Sequence, residues 1–177
     1  MATQLPFYNE PIESSLLERI QPIQLIIFDF DGVFTPNSVY LDQNGVETVK
    51  CSRFDGFGLR NIQSMGVKVF VLSKEKNPVV ARRCEKLKID FSQGEDDKLT
   101  YFKLNFLSQR MTADQVAYVG NDINDLEMLQ AVGLPILVAD AHPSVVRDDF
   151  FQANLNGGEG VVREVCDLLA RGKNESL

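Results

Sequence analysis

Leu25-Ile26-Ile27-Phe28 is an unbroken apolar run that ends on Asp29-Phe30-Asp31-Gly32. A strand that is apolar at every position has no face to give to water. It must lie in a sheet covered on both sides, and such sheets are mainly parallel. Parallel neighbours need crossover connections, usually helices. The rest of the chain supplies both kinds of segment. Val67 to Leu72, Ile89 to Phe91, Val116 to Val119 and Ile136 to Val138 read as further strands. Phe57 to Met65, Asn77-Pro78 through Lys88, Asp96 to Gln109, Asp125 to Val132 and Glu159 to Ala170 read as helices. Asn77 and Pro78 suit an N-cap and a first helical position, and Gly66 and Gly133 stand where helices stop. Thr112 or Asp114 caps a short turn. Before the first of these helices, Ser38 to Leu41 and Val46 to Val49 flank Asn44-Gly45, a hairpin signal. The stretch up to Pro22 reads as an arm carrying Pro6, Pro11 and a short amphipathic helix, Ser14 to Ile20. Strands alternating with helices predict an α/β sandwich.

Composition narrows the function classes. With 44% apolar residues in 177, the chain can bury a sizeable core. Eighteen basic against twenty-five acidic residues give a net charge of -7. That balance argues against a nucleic-acid or anionic-membrane surface, whose binding rests on Lys and Arg. A few placed cations still suffice for a small phosphorylated substrate. No apolar run approaches the length of a membrane span. Glu10, Glu13 and Glu18 leave no basic segment of a secretory signal. Cys51, Cys84 and Cys166 are widely spaced, without Cys-x-x-Cys, and suggest neither a disulfide framework nor a zinc site. A cytoplasmic protein with reduced thiols fits. The single histidine, His142, leaves little room for a His-rich metal site or a His-based triad.

In parallel α/β sheets the ligand sits beyond the carboxyl ends of the strands. The polar residues there are Asp29 and Asp31 after the first strand, Ser73 after the second, and Asn121 and Asp122 after Val116 to Val119. Two carboxylates two residues apart repel each other, and a divalent cation bound by hard oxygen ligands, such as Mg²⁺, relieves that repulsion. Ser73 can hydrogen-bond a phosphoryl oxygen. Lys98 opens a helix, where a cation opposes the helix dipole unless an anion lies nearby.

Asp29-Phe-Asp31-Gly-Val-Phe-Thr35, Ser73, Lys98 and Gly120-Asn-Asp-Ile-Asn-Asp125, in this order, resemble the four motifs of the haloacid dehalogenase superfamily of phosphohydrolases. Phe54-Asp-Gly-Phe-Gly58, Ala139-Asp-Ala-His-Pro143 and Gly157-Gly-Glu-Gly-Val-Val-Arg163-Glu-Val-Cys166 resemble, within it, the 3-deoxy-D-manno-octulosonate 8-phosphate phosphatase family. The resemblance runs from about Gln24 to Ala170. It implies a Rossmann-like three-layer sandwich with a β-hairpin flap, divided into an N-terminal arm (1–23), a catalytic domain (24–172) and a tail (173–177). It implies hydrolysis of a 2-keto-3-deoxy sugar-acid phosphate, in that family a step of lipopolysaccharide biosynthesis. Asp29 would be the nucleophile that forms an aspartyl-phosphate. Asp31 would be the general acid and then base, with its backbone carbonyl on the metal. Ser73 and Lys98 would hold phosphoryl oxygens, and Mg²⁺ would bridge Asp29 and the phosphate.

Two departures matter. Many superfamily members carry Asp immediately after the glycine of the fourth motif, where this chain has Asn121 followed by Asp122. Asn121 is the aligned metal ligand and Asp122 its rival. Asp125 orients Lys98 or the metal's waters, at the edge of the substrate site. In place of the arginine usual in octulosonate phosphatases, Ser73 is followed by Lys74-Glu75. Glu75, with Arg83 and Lys86, resembles instead the phosphatases acting on nine-carbon sialic-acid-type 9-phosphates. The eight-carbon substrate is the family's default and the nine-carbon one the alternative. Arg53, Asp55 and Arg60 lie near the sheet top by the same resemblance, and His142 orders a loop near the fourth motif. Arg163 either caps a helix or crosses to another subunit.

The interval from Asp29 to Ser73 holds only a hairpin and one helix, and that from Lys98 to Asn121 one helix and one strand. Neither accommodates a cap domain of at least roughly 50 residues. A capless site has few walls. The resembling family closes it by forming a homotetramer, and the hairpin from Ser38 to Val49 is the candidate interface. Two non-enzymatic readings compete, a phosphate-sensing receiver-like module and an inactive regulatory subunit. A switch does not need the acid/base at Asp31. Asn121 keeps the second alive.

Overall fold

The computed structural model describes residues 11–107 and 111–175. Six parallel strands form one sheet: β1 (Leu25–Phe28), β4 (Lys68–Leu72), β5 (Asp90–Ser92), β6 (Val116–Gly120), β7 (Leu134–Leu137) and β8 (Phe151–Gln152). Their order across the sheet is β5-β4-β1-β6-β7-β8. β2 (Tyr40–Leu41) and β3 (Glu47–Thr48) make a separate antiparallel hairpin. The helices are α1 (Ser14–Ile20), α2 (Asp55–Ser64), α3 (Val79–Leu87), α4 (Lys98–Asn105), α5 (Leu126–Leu129) and α6 (Val161–Asn174).

Alternate side chains of the strands enter two apolar layers. Ile26, Phe28, Val69, Val71, Ala117 and Val119 face the layer shared with α2, α3 and α6. Leu25, Ile27, Leu72, Val116 and Tyr118 face the layer shared with α4 and α5. Every residue of β1 is buried, which is why that run carries no polar position. The chain leaves β1 toward β4 on one side and returns as β6 on the other. The crevice at this reversal, beyond the carboxyl ends of β1 and β6, is where open α/β sheets bind ligands.

Several elements differ from the sequence reading. The hairpin strands are two residues each, because Asp42 accepts hydrogen bonds from the amides of Asn44 and Val46 at 2.8 Å and tightens the turn. α2 begins at Asp55 and α4 at Lys98, with the Asp97 carboxylate capping α4 at the Thr100 amide, 2.9 Å. The predicted helix end at Gln109 lies outside the described residues, as does Pro6. Asp125 to Val132 divides into a 3₁₀ turn, Ile123–Asp125, and the short α5. β8 escaped the sequence reading because a two-residue edge strand has no periodicity to detect. α1 belongs to the body of the molecule. Leu17 and Ile20 are buried, and the Arg19 guanidinium donates two hydrogen bonds to the Gly133 carbonyl, at 3.0 and 2.9 Å. α6 runs on through Lys173 and Asn174, and the end of the chain, 176–177, lies outside the described residues. No described helix is long and apolar enough to cross a membrane. All three cysteines are free thiols, two of them buried.

Two packing features hold the sheet top. The turn before α6 presses on the loop after β1. The Gly158 amide donates to the Val33 carbonyl at 2.9 Å, and the Gly157 amide to Asp140 Oδ1 at 2.9 Å. A Cβ on Gly157 would stand 2.1 Å from the Gly32 carbonyl oxygen. Between α2 and α3, Arg83 donates to the Ser52 carbonyl at 2.5 Å and lies 3.4 Å from the Asp55 carboxylate. Burial pushes the Asp55 carboxyl up to about 7, and the neighbouring Arg83 offsets this only in part.

Two outcomes are expected. Gly157→Ala forces backbone apart where no side chain can yield, and should lower stability by about 1–3 kcal/mol in urea unfolding. Asp55 holds its proton more tightly folded than unfolded, so its contribution to stability is largest at low pH. It declines as pH rises from about 4, the ordinary carboxylate value, to about 7. Unfolding curves of wild type and Asp55→Asn across that window should converge at the acid end and separate toward pH 7, the wild type losing more.

Candidate active site

Asp29 is the first residue past β1, and its amide still bonds to the Val119 carbonyl of β6 at 2.9 Å. Its position is therefore set by the two central strands. The carboxylate is buried. Oδ1 accepts from the Phe30 amide at 2.7 Å and lies 2.8 Å from Lys98 Nζ, and Oδ2 has a long contact, 3.5 Å, with the amide nitrogen of Asn124. Gly32, at a φ of 78°, turns the backbone sharply after Asp31, and its amide donates to the Thr35 hydroxyl at 3.2 Å.

Lys98 is the first residue of α4, and its side chain is buried. The ammonium lies 2.8 Å from Asp125 Oδ1 and 3.1 Å from the Tyr118 hydroxyl, besides Asp29. Burial alone works against its charge, yet Asp29 and Asp125 together outweigh burial and hold it protonated. Asp125 is fully buried. Its Oδ1 also receives the Tyr118 hydroxyl at 2.5 Å, and its Oδ2 receives the backbone amides of Asn121 and Asp122 at 2.9 and 3.4 Å. The Asp29 carboxyl is pushed up by burial and then by Asp125, against the pull of Lys98. One ammonium between two buried carboxylates leaves an excess of negative charge, and a further cation would relieve it.

Asp29, Asp31, Ser73, Lys74, Glu75, Asn121 and Asp122 line one cleft of about 130 Å³ together with Asn37 and Asn124. Ser73, buried at the end of β4, accepts the Glu75 amide on its Oγ at 3.0 Å. A hydroxyl that accepts at its oxygen keeps its own proton to donate. Asp31 is half-buried, and its carboxyl is pushed up to about 6 by burial, then by Glu75 and by Glu47 on the hairpin, with Lys98 opposing. A carboxyl raised in this way is suited to giving and taking a proton.

Among the described residues no group of three or more His, Cys, Asp or Glu is placed to hold a metal ion. The donors at this cleft are of another composition: the Asp29 carboxylate, backbone carbonyl oxygen after it, and the side chains of Asn121 and Asp122. A small, hard, all-oxygen set with one or two carboxylates fits Mg²⁺, which keeps much of its water. Asn121 is buried and its amide nitrogen donates to Asn37 Oδ1 at 3.3 Å. Asp122 caps the 3₁₀ turn, accepting the Ile123 amide at 2.7 Å.

The remaining predicted residues are placed differently. Glu75 lines the cleft, but its Oε1 is occupied by the amides of Lys76 and Asn77, at 2.6 and 2.7 Å. Arg83 is engaged with Ser52 and Asp55, and neither it nor Lys86 is among the cleft's lining residues. Asp125 lies beneath the cleft, bonded to Lys98. The His142 amide donates to the Asn121 carbonyl at 2.8 Å, and its ring meets Ser144 at 2.8 Å. Arg163 pairs with Asp167 on the next turn of α6, at 2.6 Å. Tyr118 and Asn37 escaped the sequence reading, and Asn124 entered it only as part of the fourth motif. Tyr118 reads as one more core residue of an apolar strand, and the two asparagines as loop residues. Only the position of Tyr118 one strand-residue pair before Gly120 hinted at more.

Comparison with known proteins agrees with this fold. A profile of the haloacid dehalogenase-like hydrolases matches residues 72–165. The 3-deoxy-D-manno-octulosonate 8-phosphate phosphatases of Escherichia coli K12 and Salmonella typhi are each 35% identical over 166 residues, covering 92% of this chain and 88% of theirs. The crystal structure of that phosphatase from Yersinia pestis superposes with a TM-score of 0.87 at 31% identity, covering 93% of this chain and 89% of that one. The Moraxella catarrhalis phosphatase, solved in complex with magnesium ion, phosphate ion and KDO, gives a TM-score of 0.86 at 27% identity, covering 92% and 94%. With four motifs converging on the switch point of a six-stranded parallel sheet, the chain belongs to the haloacid dehalogenase-like hydrolases, in the family of the 3-deoxy-D-manno-octulosonate 8-phosphate phosphatases.

Proposed function

We propose that this chain is a Mg²⁺-dependent phosphatase that converts 3-deoxy-D-manno-octulosonate 8-phosphate to the free sugar acid and inorganic phosphate. The observation that carries the reading is the contact, 2.8 Å, of the buried Lys98 with Asp29, which lines a cleft together with Asp31 and Ser73.

Asp29 attacks phosphorus while Asp31, whose raised pKa keeps its protonated form accessible, gives its proton to the leaving sugar oxygen. The bond from phosphorus to the sugar oxygen breaks and one to Asp29 forms. Asp31, now a carboxylate, takes a proton from water, which attacks the aspartyl-phosphate and releases phosphate. Lys98 and the Ser73 hydroxyl hold phosphoryl oxygens as charge develops on them. Mg²⁺ would be held by Asp29, the Asp31 backbone carbonyl and Asn121 or Asp122, and would supply charge stabilisation and orientation. Asp125 serves by holding Lys98.

Of the three positions that suggested a nine-carbon substrate, only Glu75 lines the cleft, and its carboxylate is tied to backbone. This favours the eight-carbon substrate, and with it a cytoplasmic place in lipopolysaccharide biosynthesis. The cleft of about 130 Å³ is smaller than the roughly 300–1,000 Å³ usual for pockets that enclose small molecules. Val39, Tyr40, Leu41 and Val46 on the hairpin are 52–68% exposed. Both facts support a homotetramer in which a neighbouring subunit supplies the missing walls.

Phosphate release from a panel of sugar-acid phosphates tests the activity. Turnover is expected with Mg²⁺, not with EDTA, with the highest kcat/KM on the eight-carbon substrate. Asp29→Asn should be folded and lose at least about a thousandfold in kcat. Hydrolysis that survives in that variant, or that prefers the nine-carbon 9-phosphates, would overturn the mechanism or the substrate respectively. Sedimentation equilibrium at micromolar concentration is expected to give the mass of four chains, and a monomer would contradict the assembly.

A further inference from the structure

Lys98 has three N–H donors, and the structure accounts for all of them: Asp29 Oδ1 at 2.8 Å, Asp125 Oδ1 at 2.8 Å and the Tyr118 hydroxyl at 3.1 Å. Two of these acceptors are carboxylates. The third is neutral and the most distant. Tyr118 stands on β6 opposite Ile27 of β1, wholly buried, so its hydroxyl cannot turn to water. That hydroxyl has a second partner. It donates to Asp125 Oδ1 at 2.5 Å, the same oxygen that receives Lys98. Asp125 Oδ1 therefore divides its charge between a phenol and an ammonium, while Oδ2 is taken by backbone amides.

This triangle has a consequence for the ammonium. A buried carboxylate oxygen must be satisfied by whatever donors are within reach. With the phenol present, part of the charge on Asp125 is met without Lys98. With the phenol removed, Lys98 is the sole side-chain donor left to that oxygen among those named, and is drawn toward it, away from Asp29. One ammonium proton also loses its acceptor in a buried place. When a phosphoryl group arrives beside Asp29, the weak neutral contact is the one Lys98 can give up most cheaply, so Tyr118 also keeps a donor in reserve.

We propose that Tyr118 is a positioning residue for the phosphatase reaction, acting through Asp125 to aim the charge of Lys98 at the phosphoryl group. The inference rests on the phosphatase reading given above. Because Lys98 matters most as negative charge builds in the transition state, loss of the hydroxyl falls on kcat more than on KM.

The test is steady-state phosphate release by the full chain with Mg²⁺ and 3-deoxy-D-manno-octulosonate 8-phosphate. Tyr118→Phe is expected to lower kcat by about tenfold with KM changed less than about twofold. In the Asp125→Asn background the same change should cost less than about twofold, since the oxygen that couples phenol to ammonium has lost its charge. Tyr118→Met, which also lacks the hydroxyl, should repeat the loss. Wild-type kcat in Tyr118→Phe would overturn the proposal. So would an undiminished tenfold loss in the Asp125→Asn background, because Tyr118 would then act by some route other than Asp125. Failure of both single variants to fold, read by circular dichroism, would assign the hydroxyl to folding and overturn it as well. A wild-type chain that releases no phosphate from any member of the panel would instead overturn the phosphatase reading itself.

Discussion

The buried ammonium of Lys98 is the interaction around which the site is built. A charge taken out of water costs several kcal/mol unless it is paired and hydrogen-bonded, and a pair in which one partner goes unmatched is worse than none. Here the match comes from three separate elements: Asp29 at the end of β1, Asp125 in the turn after β6, and Tyr118 within β6. α4 must start where it does for Lys98 to reach them, and β1 and β6 must be neighbours. The need to satisfy one cation thus ties the order of strands in the sheet to the chemistry at its edge. The surplus of carboxylate over ammonium in the same place makes the site receptive to a metal ion.

Backbone contacts help to brace the loops at the sheet top. The Gly157-Gly158 turn packs directly on the carbonyls of the loop after Asp29, and the His142 amide reaches the carbonyl of Asn121. Such contacts fix loop geometry without placing bulky groups near the substrate. They also explain why glycine, which carries no side chain to separate two backbones, occupies these positions. The side chains that line the cleft are all polar or charged, which suits recognition of a phosphoryl group.

That polar lining has a counterpart in the exposed hairpin. An antiparallel pair of two-residue strands is marginal on its own. It carries Tyr40 and Leu41, each 68% exposed, and places Glu47 close enough to Asp31 to raise its pKa. An acidic side chain from this hairpin therefore adds to the negative charge that raises Asp31, the proposed proton donor. A surface that is at once apolar and coupled to the acid is consistent with the proposed assembly closing over the site.

Much of this was legible in the residues alone. An all-apolar β1 demanded a sheet covered on both faces, and polar residues clustered at strand ends marked the edge that does the chemistry. Asp29, Asp31, Ser73, Asn121 and Asp122 do meet in one cleft, because strand ends in a parallel sheet converge whatever lies between them in sequence. Lys98 was legible as a cation out of place at a helix start. Periodicity could not reveal β8, and local pattern could not tell Tyr118 from its apolar neighbours or show that Arg83 turns toward Ser52 and Asp55. Those outcomes depend on which side chains the packed elements bring within hydrogen-bonding distance. The sequence by itself determined the fold class and the edge of the sheet that carries the acids, since both follow from local apolar pattern. Only the tertiary structure decided which acid holds the lysine, which hydroxyl shares that acid and which charged residues stay outside the cleft, since each of those is set by contacts between residues far apart in the chain.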